Sequence, residues 1–186
     1  MTLGEPRGEW DAEPVTSATG PRRLLLLRHA KAEHPDVIPD IQRPLSLVGR
    51  KQSGRVGAAL AGDDLVPDLV LCSSSVRTRQ TWDLVRASLG AEPEVRYLDD
   101  LYDAGSSTVV ELVRAVPGDV RTVLVVGHEP TMSQAAALLA GPDSDPATLE
   151  RVRVGVPTAS WSLLEVSGWD TLAAGSAALR RLAVLG

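Results

Sequence analysis

A three-layer α/β/α sandwich around one mostly parallel sheet is the architecture this sequence predicts, and three observations carry that reading. Short apolar runs without alternation, "LLLL" at 24–27 and "VLVV" at 123–126, read as strands buried on both faces. Segments of helical length follow such runs, with serines at their starts and glycine or proline at their stops. Strands alternating with helices are the pattern of a parallel sheet covered on both sides. The 186 residues suit one domain, with no convincing repeat and no clear linker. We read 1–20 as a flexible lead-in on which Trp10 can dock, and 21–186 as the domain.

The first strand spans 23–27. Residues 30–45, "AKAEHPDVIPDIQRPL", hold three prolines and mixed charge and read as a loop. Ser46 caps a helix over about 47–61, against the low helix propensity of Gly49, Gly54 and Gly57. "PDLVLCS" (67–73) is the second strand. "SSVRTRQTWDLVRASLG" (74–90) is the second helix, stopped by Gly90 and burying Val76, Trp82 and Val85. "PEVRYL" (93–98) gives a short edge strand, and "DDLYDAG" a loop. Ser106 or Ser107 caps a helix over about 108–116, ended by Pro117 and Gly118. "RTVLVVG" (121–127) is a continuous buried strand, and Pro130 is the first residue of a helix to about Ala140. The segment 141–148 reads as a loop. Residues 151–156 and 159–167 read as strands near the sheet edge, and 168–186 as a helix or loop plus a last strand.

Composition narrows the function classes. The net charge of −5 argues against a general nucleic-acid binder, whose footprint is basic. No segment reaches the roughly 18 apolar residues that cross a membrane. The acidic start, with Glu5, Glu9, Asp11 and Glu13, is unlike a signal peptide, so the expected location is cytoplasmic. The single cysteine, Cys72, leaves no internal disulfide, and no metal cluster stands out. Cys72 reads as a core or near-core thiol.

Chemistry concentrates at the strand ends, where open α/β sheets hold their ligands. Arg28 and His29 follow the first strand, and His128 follows "VLVVG" in the same way. Arg77 lies near the start of the second helix. If the two strands are neighbours, both imidazoles meet over one edge of the sheet. The arginines then bring planar donors that match phosphate oxygens, and backbone N–H groups near Ser74 and Ser75 can face an anion. A neutral histidine nitrogen can attack phosphorus, arginines can stabilise the equatorial oxygens, and water can release phosphate without a metal or cofactor. Each residue also has a plain alternative: a solvated arginine, or a histidine satisfied structurally beside a strand.

Three segments in this order, "LLLLRHAKA", "SSSVRTRQT" and "VVGHEPTMS", resemble the motifs of the histidine phosphatase superfamily, whose fold is phosphoglycerate-mutase-like. The resemblance covers about 20–135. It implies His29 as nucleophile, with Arg28, Arg77 and His128 binding the phosphoryl group and Gln80–Thr81 as the pair that follows the arginine. The "RHAKA … DIQRPLSLVGR" stretch, with Asp40, Arg43, Pro44 and Leu45, resembles the small branch related to SixA. That branch implies a phosphohistidine protein as substrate, with a small phosphorylated metabolite as the alternative, and Arg43 and Lys31 as substrate-binding candidates. One departure concerns the proton donor. Larger members carry a glutamate between the second motif and the second histidine; here "YLDDLYDAG" offers only Asp99, Asp100 and Asp103, of which Asp100 is preferred by loop position. Phosphohistidine expels an imidazole, an easier leaving group than an alkoxide, so the missing glutamate is compatible with this branch. A non-catalytic module that binds phosphorylated ligands is the alternative outside enzymes.

Overall fold

The structure, a computed structural model, describes residues 20–34 and 37–185. The lead-in reading of 1–19 and the docking of Trp10 lie outside the described residues. Strand β1 (Arg22–Arg28) carries the leucine run through the middle of a six-stranded sheet. Successive side chains of a strand point to opposite faces. Leu24 and Leu26 therefore join one core cluster, and Leu25 and Leu27 join the other. All four are at most 1% exposed. Full burial of each stabilises the fold by about 1.5–3 kcal/mol relative to exposure.

Helices α1 (Leu47–Gly62) and α2 (Val76–Leu89) cover one face, filling it with Val56, Leu60, Trp82 and Val85. Helices α3 (Ser106–Arg114), α4 (Thr131–Leu139) and α5 (Pro146–Arg153) cover the other, with Val109, Val113, Met132, Ala135 and Val152. Cys72 belongs to the first of these layers, and burial pushes its thiol pKa up. The remaining strands are β2 (Leu69–Ser73), β3 (Glu94–Leu98), β4 (Thr122–Gly127), β5 (Trp161–Val166) and β6 (Ala178–Ala183). Their order is β3-β2-β4-β1-β5-β6. β4 pairs in parallel with both β1 and β2, and β2 with β3. β5 runs antiparallel to β1 and to β6. The expected α/β sandwich is therefore present, with one reversed strand.

Several expectations change in detail. Residues 151–156 form no strand: α5 takes up 151–153, and the chain turns at Gly155. Asp145 Oδ1 accepts from the Thr148 N–H at 2.8 Å, and Pro146 occupies the first turn, so local capping outweighs the apparent alternation of "RVRV". The helix expected over 108–116 begins at Ser106, with Gly105 in the cap position and no side-chain cap. Pro130 sits at the N-cap of α4 rather than inside it, Val76 is only partly buried, and "DDLYDAG" opens with a 3-10 turn, Asp99–Leu101. The tail resolves as a loop followed by β6.

Two of the helix-weakening glycines have a packing reason. A Cβ at Gly49 would overlap the Lys31 carbonyl oxygen, and one at Gly57 would overlap the Val85 carbonyl oxygen. Gly57 thus lets α1 cross α2 backbone to backbone. Gly49 lets the start of α1 rest on the chain that leaves β1. There the Ser46 N–H and hydroxyl both donate to the Lys31 carbonyl, at 2.9 and 3.1 Å. The hydroxyl oxygen also accepts from the Gly49 N–H and so caps the helix.

Candidate active site

The register of β1 on β4, with Arg28 opposite Gly127, places His29 and His128 one residue beyond the ends of adjacent parallel strands. The His29 N–H donates to the Gly127 carbonyl at 3.0 Å, which fixes the two strand ends together. The imidazole centroids stand 5.2 Å apart with their planes tilted by 60°. Both rings line a cleft of about 460 Å³ with Arg28, Lys31, Arg43 and Arg77.

Hydrogen bonds identify the tautomers. His29 Nδ1 lies 2.7 Å from the Ala30 carbonyl, which only accepts, so Nδ1 carries the proton and Nε2 keeps its lone pair. His128 Nδ1 lies 3.3 Å from Arg77 Nη2, which only donates, so here Nδ1 is the acceptor. Its Nε2–H then donates to Ser73 Oγ at 2.9 Å. Burial lowers the His29 pKa to about 4, and the Arg77, Arg28 and Arg43 charges push the same way against the Ala30 hydrogen bond. Burial, then the neighbouring His29 ring and Arg77, lower His128 to about 3. Both rings are neutral at neutral pH.

The cations are held from three directions. Arg28 Nη1 donates to the Val156 carbonyl at 2.6 Å. Arg77 donates to the Asp40 carbonyl at 2.7 Å and to Asp40 Oδ2 at 2.9 Å. Arg43 pairs with Asp40 Oδ1 at 2.9 Å, and the Tyr102 hydroxyl donates to Oδ2 at 2.6 Å. The Tyr102 hydrogen bond, with Arg77 beside it, holds the Asp40 carboxyl below its ordinary pKa. Below the cleft, Thr81 Oγ1 accepts from the Ala30 N–H at 3.1 Å and donates to the Arg77 carbonyl at 2.7 Å. Gln80 Oε1 accepts from the Leu45 N–H at 2.8 Å. The Gln–Thr pair therefore ties α2 to the segments that carry His29 and Arg43. Neutral imidazole and fixed guanidinium donors in one cleft are chemically suited to bind a phosphoryl group and to attack it.

A family profile described as the histidine phosphatase superfamily (branch 1) matches residues 24–106. An uncharacterized protein of Mycobacterium tuberculosis, Rv1276c, is 41% identical over 155 residues, covering 82% of this chain and 96% of that one. The chain belongs to the histidine phosphatase superfamily. Among solved structures, a Nakamurella multipartitia protein provisionally named as a phosphohistidine phosphatase SixA is 34% identical. Its TM-score is 0.79, over 89% of this chain and 96% of that one. An Agrobacterium tumefaciens protein, provisionally named likewise, is 27% identical with a TM-score of 0.75, over 90% and 100%. Histidine phosphatase membership supports phosphatase activity toward phosphorylated substrates.

Of the residues picked out in the sequence, this superfamily fold brings Arg28, His29, Lys31, Arg43, Arg77 and His128 to one cleft. It does not bring Asp100 there: that side chain is exposed on the 3-10 turn, and Tyr102 reaches Asp40 from the same loop. Ser74 and Ser75 are also outside the cleft lining, and the Ser75 hydroxyl bonds Thr78 Oγ1 at 2.7 Å. His34 is exposed at the cleft edge. Ser73, Tyr102 and Glu129 lay outside the sequence reading of the site. The only available signals were Ser73 at a strand end and Glu129 beside a histidine; nothing local marked Tyr102. Among the described residues, no group of three or more His, Cys, Asp or Glu side chains is placed to hold a metal ion. No helix among them is long and apolar enough to cross a membrane.

Proposed function

We propose that this chain is a cytoplasmic, metal-independent phosphatase that acts through a phosphohistidine on His29, with phosphohistidine in a protein as substrate. The observation that carries the reading is the His29 tautomer: Nδ1–H is tied to the Ala30 carbonyl, and Nε2 is left neutral with its lone pair. In the first step Nε2 attacks phosphorus and the P–N bond of the substrate breaks. In the second, water attacks phosphorus, the Nε2–P bond breaks with its electron pair returning to His29, and phosphate leaves. Arg28 and Arg77 stabilise the equatorial oxygens, with His128 beside them orienting Arg77 through its Nδ1, while Arg43 and Lys31 meet the substrate at the rim. The Nakamurella and Agrobacterium relatives are named for the same substrate. An imidazole leaving group also accords with Asp100 lying outside the cleft.

The test is paired turnover of a phosphohistidine protein and an aryl phosphate by wild type and His29→Ala. Faster turnover of phosphohistidine, abolished by the substitution together with ³²P trapping on the protein, is the expected result. Preference for the aryl phosphate would move the assignment to small phosphomonoesters. Phosphoprotein binding with neither turnover nor a trapped adduct would make the chain a binding module. Arg77→Ala is expected to lower turnover by about 10²–10³-fold, the scale of losing a transition-state donor.

A further inference from the structure

Glu129 follows His128 directly, and it is the only carboxylate among the described residues that line the cleft. Its Oε1 accepts from the Val156 N–H at 3.0 Å. Its Oε2 is buried and has no hydrogen-bond partner. No cation of the described residues lies within ion-pair distance of it, although Arg28, Lys31, Arg43 and Arg77 line the same cleft. Arg28 instead donates to the Val156 carbonyl, so one peptide segment holds the arginine and the carboxylate apart. Gly155, at φ +100°, makes the turn that presents it; a Cβ there would stand 3.1 Å from Glu129 Oε1.

A fixed carboxylate works against phosphate binding unless it faces a different part of the substrate. Glu129 and Arg28 also line a second cavity, of about 560 Å³, with Pro130, Ser133, Gln134 and Val156. Glu129 therefore stands in the wall between the phosphoryl-binding cleft and an adjoining space that suits the group being expelled. A phosphorylated imidazole leaves readily when its other ring nitrogen carries a proton, and that N–H points away from phosphorus. Such a donor is what a buried, unpartnered carboxylate oxygen lacks.

We propose that Glu129 is a specificity-determining residue: its carboxylate turns from the position that buries Oε2, accepts the distal N–H of the substrate's phosphorylated imidazole and so selects phosphoramidates of N–H-bearing rings over phosphate esters. The inference rests on the reading of the chain as a phosphohistidine phosphatase. The bond count is simple. The His29 Nε2–P bond forms and the P–N bond of the substrate breaks. The substrate ring enters as the imidazolium, protonated on its distal nitrogen from solvent; the electron pair of the broken bond returns to it, and it departs neutral with its N–H intact. Glu129 takes up no proton.

The experiment measures kcat/KM of the full chain for N-phosphoimidazole, for its analogue methylated on the distal nitrogen, and for p-nitrophenyl phosphate, each corrected for its rate in solution. In wild type the N–H substrate is expected to exceed the methylated one by at least about tenfold, the scale of leaving one charged hydrogen bond unmade. In Glu129→Gln, whose amide oxygen can still accept from the Val156 N–H, that ratio should collapse toward one. The ratio of N-phosphoimidazole to p-nitrophenyl phosphate should fall with it. Equal treatment of the two imidazole substrates by wild type overturns the proposal without any variant. Ratios unchanged in Glu129→Gln, whatever the absolute rates, overturn it as well and leave the phosphatase reading standing. Turnover of p-nitrophenyl phosphate alone overturns the phosphohistidine reading and this inference together.

Discussion

At the scale of single residues, the site depends on two imidazoles kept neutral by burial among cations. The proposed reaction needs the His29 Nε2 lone pair, and protonation removes it. With its pKa lowered to about 4, that loss comes only as pH falls through about 4, not near the ordinary value of about 6.5. The expected acid limb of kcat/KM, corrected for the ionisation of the substrate, therefore has its midpoint well below 6; a midpoint near 6.5 would contradict the buried, desolvated ring. The same scale shows what a sequence can mark. Arg28, His29 and His128 adjoin apolar runs, so strand ends located them. For Asp100 the sequence offers only loop position, and loop position fixes no side-chain direction. Tyr102 joins the site only because the fold brings its hydroxyl to an aspartate 62 positions away. That Glu129 Oε2 meets no donor among the described residues is a property of its surroundings, which no local pattern encodes.

At the scale of elements, helix α1 sits where it does because Gly49 has no side chain. Gly49→Ala forces a methyl against the Lys31 carbonyl, two residues beyond His29, and overpacking of this kind costs about 1–3 kcal/mol. A lower Tm together with reduced turnover is expected, from displacement of the chain after His29. Gly57→Ala, at the α1–α2 crossing, is expected to lower Tm with the smaller effect on KM. Thermal unfolding and steady-state kinetics on both variants check this pair. Boundaries of α1, α2 and the central strands were legible because caps, glycine stops and continuous apolar runs agree with the final packing. Helix α5 departs from the expected strand because "RVRVGV" alternates like one. The competing signal was local: Asp145 and Pro146 form a helix start six residues earlier.

At the scale of the whole molecule, the sheet order puts β4 and β1 in the middle, covered on both faces, and leaves β3 as a largely exposed edge. Amide exchange should follow this order, slowest in β1 and β4 and fastest among the strands in β3; hydrogen-exchange mass spectrometry reads it directly. The reversed strand β5 has a further effect. The Ala159 N–H donates to the Arg28 and His29 carbonyls at 3.1 and 3.2 Å, and Arg28 reaches Val156, 128 positions along the chain. Contacts of such separation close late, because loop-closure entropy must be overcome before they stabilise anything. A chain growing from its N-terminus has both motif segments of the first half long before it has the wall that holds Arg28 and Glu129. Synthesis of the polypeptide thus runs ahead of its cleft: a partly made chain carries Arg28 and His29 but not the wall beside them, and acquires it only when residues 155–160 arrive.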